Sequence, residues 1–88
     1  MPTIFYKFGF RFYFLSFDCS EPPHIHVSDD AKKICKFWLR EKQCELADSS
    51  GFSNTDLRKI EREVNLNSTL LKTKFNEFCK GNSPKKKS

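Results

Sequence analysis

From Ile4 to Phe14 every even position is apolar (Ile4, Tyr6, Phe8, Phe10, Phe12, Phe14), while the odd positions mix Phe5 and Tyr13 with Lys7, Gly9 and Arg11. A period of two kept over that length predicts strand. Gly9 permits either a bend in one long strand or a tight hairpin between two short ones, and the unbroken parity favours the bend. After a polar loop containing Asp18 and Glu21, Pro22 and Pro23 hold the backbone extended and feed a second strand over His24 to Ser28. Alternation puts His24 and His26 on one face and Ile25 and Val27 on the other. Asp29 and Asp30 read as a turn, because short acidic side chains bond back to nearby backbone. Residues 32–39 resume the alternation, with Cys35, Phe37 and Leu39 on one side and Ile34, Lys36 and Trp38 on the other. A short last strand over 44–47 follows a charged connection.

The period then changes. Ser53 caps a helix, Asp56 three residues on is placed for a capping box, and Phe52 sits where a hydrophobic staple would pack on Leu57. Leu57, Ile60, Val64, Leu71, Phe75 and Phe78 stay within a sector of about 60° on a helical wheel. That phase predicts one long C-terminal helix from Asn54 to Lys80, stopping at Gly81, with a kink or a two-helix hairpin as the alternative at Leu66-Asn67-Ser68. Strands followed by helix define an α+β domain: an antiparallel meander of four or five strands covered on one face by the helix. Residues 1–81 form this single domain and 82–88 a disordered lysine-rich tail.

At 88 residues the chain needs a dense core, and ten Phe, one Trp and two Tyr supply it in an otherwise polar sequence. No apolar run approaches the ~20 residues that cross a bilayer, and the N-terminus lacks the basic region of a secretory signal. A soluble, cytoplasmic protein with no membrane association is expected. Cys19, Cys35, Cys44 and Cys79 lack zinc-knuckle spacing, and without an export signal the expectation is four reduced thiols, mostly buried, with no metal and no cofactor. The net charge of +5 points toward a polyanion or an acidic partner, but Lys85, Lys86 and Lys87 carry three of those charges in the tail.

Several stretches together resemble a family of small bacterial proteins catalogued as a domain of unknown function. They are Met1-Pro2-Thr3-Ile4, Phe8 to Arg11, Glu21-Pro22-Pro23-His24-Ile25-His26-Val27 and the helix from Leu57 to Phe78. The resemblance covers nearly the whole chain apart from the tail, and its hallmark is the Pro-Pro-His-x-His-Val strand. Such proteins are often encoded beside a second small protein, in pairs some of which are regarded as type II toxin–antitoxin modules. The resemblance therefore implies a toxin-like component with a small antitoxin as partner.

Two neighbouring imidazoles suit acid–base chemistry near neutral pH. On that reading His24 and His26 act as general base and acid on an RNA phosphodiester, and Arg11 steadies the developing charge. They could instead begin a metal site with Asp18, Glu21 or Cys19, a weak match to known ligand spacings, or simply brace the loop. Arg58, Arg62, Lys72 and Lys80 share one helix flank, with Asn65, Thr69 and Asn76 between them, and form a candidate RNA-binding row. Trp38 and Ile34, on the sheet face away from the helix, are a candidate docking surface for the antitoxin or for a second copy in a homo-oligomer. The alternative to a ribonuclease is a non-catalytic nucleic-acid- or protein-binding module with structural histidines.

Overall fold

A computed structural model describes residues 3–15, 19–30 and 32–82. Strands β1 (Thr3–Lys7), β2 (Phe10–Tyr13), β3 (His24–Ser28), β4 (Ile34–Leu39) and β5 (Cys44–Ser50) precede helices α1 (Asn54–Leu66) and α2 (Ser68–Asn82). The strands pair antiparallel in the order β1-β2-β3-β4-β5, so the expected α+β meander is the observed fold. Asp18 and the lysines of the tail lie outside the described residues.

The N-terminal segment departs from the bent strand. Phe8 (φ 58°) and Gly9 (φ 77°) form a two-residue turn with both φ angles positive, and Lys7 pairs with Phe10 across it. Such a turn matches the right-handed twist of its strands. It also inverts the parity: Phe5 and Lys7 of β1 share a face with Phe12 and Phe10 of β2, up to a register shift before Phe5 that pairs Thr3 with Tyr13. Phe5 therefore stacks on Phe12 at 4.6 Å between ring centroids, while Tyr6 faces solvent. Holding Phe rather than Asn or Gly at the first turn position costs about 1 kcal/mol.

The inner face of the sheet carries the core. Phe12, Phe14, Ile25, Val27, Cys35, Phe37 and Leu39 are buried there against Phe52, Ile60, Val64, Leu71 and Phe75. Ser53 caps α1 as expected, its Oγ accepting from the Asp56 amide at 3.1 Å. Gly51 (φ 93°) makes the turn into the helix, and a Cβ there would stand 3.1 Å from the Lys33 side chain.

The single long helix is in fact two. Asn67 leaves helical geometry (φ −108°, ψ 18°), and its side-chain amide donates to the Glu63 carbonyl at 2.8 Å and to the Glu63 carboxylate at 2.9 Å. An Asn side chain that competes for backbone partners in this way is a local cause of a helix break. Ile60, Val64, Leu71 and Phe75 are all buried, so the apolar stripe keeps its phase across the break. At the other end α2 runs through Gly81 to Asn82 instead of stopping at Gly81.

The cysteines also depart from expectation. Cys19 and Cys79 form a disulfide with their Cα atoms 5.4 Å apart, tying the loop before β3 to the last turns of α2. Their separation of 60 residues hides this proximity from any reading of spacing. Cys35 and Cys44 are buried free thiols.

Candidate functional site

The lead-in to β3 is fixed from both sides. Pro23 cannot donate, but its carbonyl accepts from the Leu39 amide at 2.9 Å, clamping the diproline to the end of β4. Ile25 and Val27 then anchor β3 in the core, and both histidines fall on the opposite face, as the alternation requires. Pairing places Tyr13 and Lys36 on either side of His26, and Trp38 beside His24.

The result is a connected row of rings and cations across the outer face. The Arg11 guanidinium lies 4.5 Å over Tyr13, Tyr13 stacks on His26 at 5.5 Å, and His26 meets His24 edge-on at 5.0 Å. His24 in turn touches Trp38 at 5.5 Å and Phe75 of α2 at 5.4 Å. Lys36 Nζ sits 4.4 Å over the Trp38 ring and donates to Glu21 at 2.6 Å. Cations over aromatic faces are attracted by the ring quadrupole, and Lys36 is further engaged by the Glu21 carboxylate.

The surroundings of the two imidazoles bear on the catalytic expectation. His24 is fully enclosed, with Nδ1 2.8 Å from the Pro22 carbonyl and Nε2 3.8 Å from the Glu21 carboxylate. His26 is 9 % exposed. A general acid or base must reach the proton it moves, and the His24 ring has no open side toward a substrate. Arg11 is separated from His26 by Tyr13 and donates through Nε to Thr3 Oγ1 at 2.7 Å, so it is not aimed at the imidazoles. Trp38 is half-buried among Lys36, Arg40 and His24 instead of standing free, and only Ile34 of the expected patch is exposed.

Cys19 is engaged in the disulfide, and among the described residues no three His, Cys, Asp or Glu side chains converge. Burial pushes the Cys35 thiol up to about 12. Burial, and then the charge of Glu61, push Cys44 up to about 11 against a lowering hydrogen bond from its own backbone. Both stay protonated at neutral pH, which leaves them poor nucleophiles and poor ligands.

The basic row is divided by the break at Asn67, with Arg58 and Arg62 on α1 and Lys72 and Lys80 on α2. Lys72 is half-buried and Lys80 exposed. Asn65 is partly engaged: its Oδ1 accepts from the Cys44 amide at 2.7 Å and caps the start of β5, which leaves its NH2 group exposed beside the arginines. What remains on α1 is more coherent than the row predicted. Ile60 and Val64 point inward, so the opposite crest carries Thr55, Arg58, Lys59, Arg62 and Leu66, all exposed. Of the acidic neighbours, Asp56 lies 3.9 Å from Lys33 and Glu63 is bonded to Asn67, while Glu61 lies lower on the shoulder. Arg58 and Arg62 make no ion pair among the described residues, and with Glu61, Asn65 and Leu66 they line an open hollow of about 470 Å³. Lys59 escaped the sequence reading; its ammonium reaches within 5.9 Å of the Phe8 ring.

The fold defines a small α+β domain, a five-stranded antiparallel sheet packed against two C-terminal helices. The chain belongs to the family described as a domain of unknown function (DUF4160), whose family model matches residues 9–76. No curated protein and no solved structure matches it. No described helix is long and apolar enough to cross a membrane.

Proposed function

We propose that this protein is a non-catalytic RNA-binding module that grips the phosphate backbone with the crest of α1, working as the toxin-like member of a small two-protein pair. The observation that carries the reading is the exposed trio Arg58, Lys59 and Arg62 on one helical crest, none of which has an ion-pair partner among the described residues. Charge distribution supports it. Residues 1–53 hold seven Lys and Arg against seven Asp and Glu, whereas residues 54–82 hold six against four. The helices therefore carry the basic surplus of the folded body. Each cation that neutralises a phosphate releases a counterion, so affinity comes chiefly from such a surface and weakens with salt. The test is an RNA titration of the wild type and of Arg58→Glu/Arg62→Glu at low salt. Reversal of both charges is expected to lower affinity at least roughly tenfold without changing the melting temperature. Equal affinity in the two proteins would overturn the reading.

A ribonuclease is the second reading, favoured by one observation. His26 also lines a hollow of about 140 Å³ with Ile34, Cys35, Lys36 and Asp48, where a small group could meet the imidazole. It separates from the first in cells: growth arrest on expression that His26→Ala abolishes, in a protein that still folds, supports catalysis. Arrest that survives His26→Ala and is lost in the Arg58 and Arg62 variant supports binding.

A further inference from the structure

Among the described residues, the turn between β1 and β2 is the one place where an aromatic ring is held at positive φ, with Phe8 at 58°. Packing does not repay that conformation. Phe8 is 47 % exposed and does not belong to the side chains packed on the core. Its neighbours are instead two cations, Lys7 Nζ at 5.7 Å and Lys59 Nζ at 5.9 Å from the ring centroid. Lys59 belongs to the crest of α1, one residue from Arg58 and three from Arg62, so ring and crest form one continuous surface within about one helical turn.

We propose that Phe8 is a base-stacking platform, and that the RNA bound by this surface is single-stranded. The inference rests on the RNA-binding reading above and specifies its ligand class. The ring is 47 % exposed, and it gives its π-face to an unpaired base when the two long, flexible lysine side chains now over it swing their ammonium groups onto the phosphates on either side of that base. A duplex keeps its bases stacked on one another and has none to lay on the ring. The Phe8 site therefore discriminates strand state, with little preference among bases, while Arg58 and Arg62 supply charge that either form can use.

The experiment is fluorescence anisotropy with a labelled oligouridylate and with an adenine–uracil RNA duplex of the same length, at one fixed salt concentration. Phe8→Asn is the informative variant, since Asn tolerates positive φ and the turn survives the change. The wild type is expected to bind the single strand more tightly than the duplex. Phe8→Asn is expected to lose on the order of tenfold or more toward the single strand, with duplex affinity unchanged and a melting temperature equal to or above that of the wild type. Lys59→Ala is expected to weaken both complexes and to flatten their salt dependence. Undiminished single-strand binding by Phe8→Asn, together with a loss in Arg58→Glu/Arg62→Glu, overturns the stacking platform alone. Failure of the wild type to bind either RNA overturns both the platform and the RNA-binding reading.

Discussion

The histidine row on β3 and the cationic crest on α1 are equally conspicuous in sequence, yet the fold treats them in opposite ways. His24 is enclosed by Trp38, His26 and Phe75 and held at the Pro22 carbonyl. Arg58 and Arg62 stand exposed with no ion-pair partner among the described residues. Titratable side chains whose polar atoms already face carbonyls and carboxylates of the same chain have little left to offer a ligand. Charges that the fold leaves in water keep their capacity for an external partner, and the difference lies in what surrounds each group.

The largest effect expected on this contrast comes from the disulfide. Reducing Cys19–Cys79, or making Cys79→Ser, opens a loop of 60 residues and is expected to cost about 4 kcal/mol, read as a lower denaturant midpoint. It also frees the end of α2 from the loop before β3, so His24 should become reactive toward an imidazole-modifying reagent. An unchanged midpoint and a still-protected ring would show that Phe75 and Trp38 cover His24 without help. His24→Ala comes next. Removing a fully buried ring is expected to cost about 3 kcal/mol through the cavity left behind, while the proposed RNA affinity of the folded fraction should equal that of the wild type. A stable His24→Ala protein with lost function would contradict a structural role.

The smallest expected effect tests the interior by pH. Cys35 and Cys44 are pushed from an ordinary 9.0 up to about 12 and about 11. Their contribution is complete below 9.0, where folded and unfolded chains both hold the proton. Above it the unfolded chain gives up its protons first, so stability falls as pH rises through that window. The denaturant midpoint of the Cys35→Ala/Cys44→Ala protein should decline less steeply above pH 9.0 than that of the wild type. Parallel declines would mean that other groups dominate there.

Much of the architecture was legible because it depends on neighbours in sequence. Alternation gave the two faces of β3 and β4, and Ser53 marked the start of α1. The phase of Ile60, Val64, Leu71 and Phe75 located the buried stripe even though the helix breaks at Asn67. What escaped depends on contacts between distant segments. Parity misled over 4–14, because a two-residue turn at Phe8 and Gly9 exchanges the faces of the flanking strands. The disulfide was invisible, since chain folding and not spacing brings Cys79 to Cys19. The enclosure of His24 comes from rings on β4 and α2, so a strand read alone presents its histidines to solvent. For α1 the same local reasoning found Arg58 and Arg62, but missed Lys59, whose partner Phe8 lies on a different element.

The salt dependence of single-stranded RNA binding tests the contrast most directly. For a single strand each neutralised phosphate contributes about 0.7 to the slope of log affinity against log salt. Arg58→Ala/Arg62→Ala should therefore reduce the slope by about 1.4, and His26→Ala should leave it unchanged. A slope that persists in the double arginine variant and falls in His26→Ala would contradict the proposed α1 contact and point to β3.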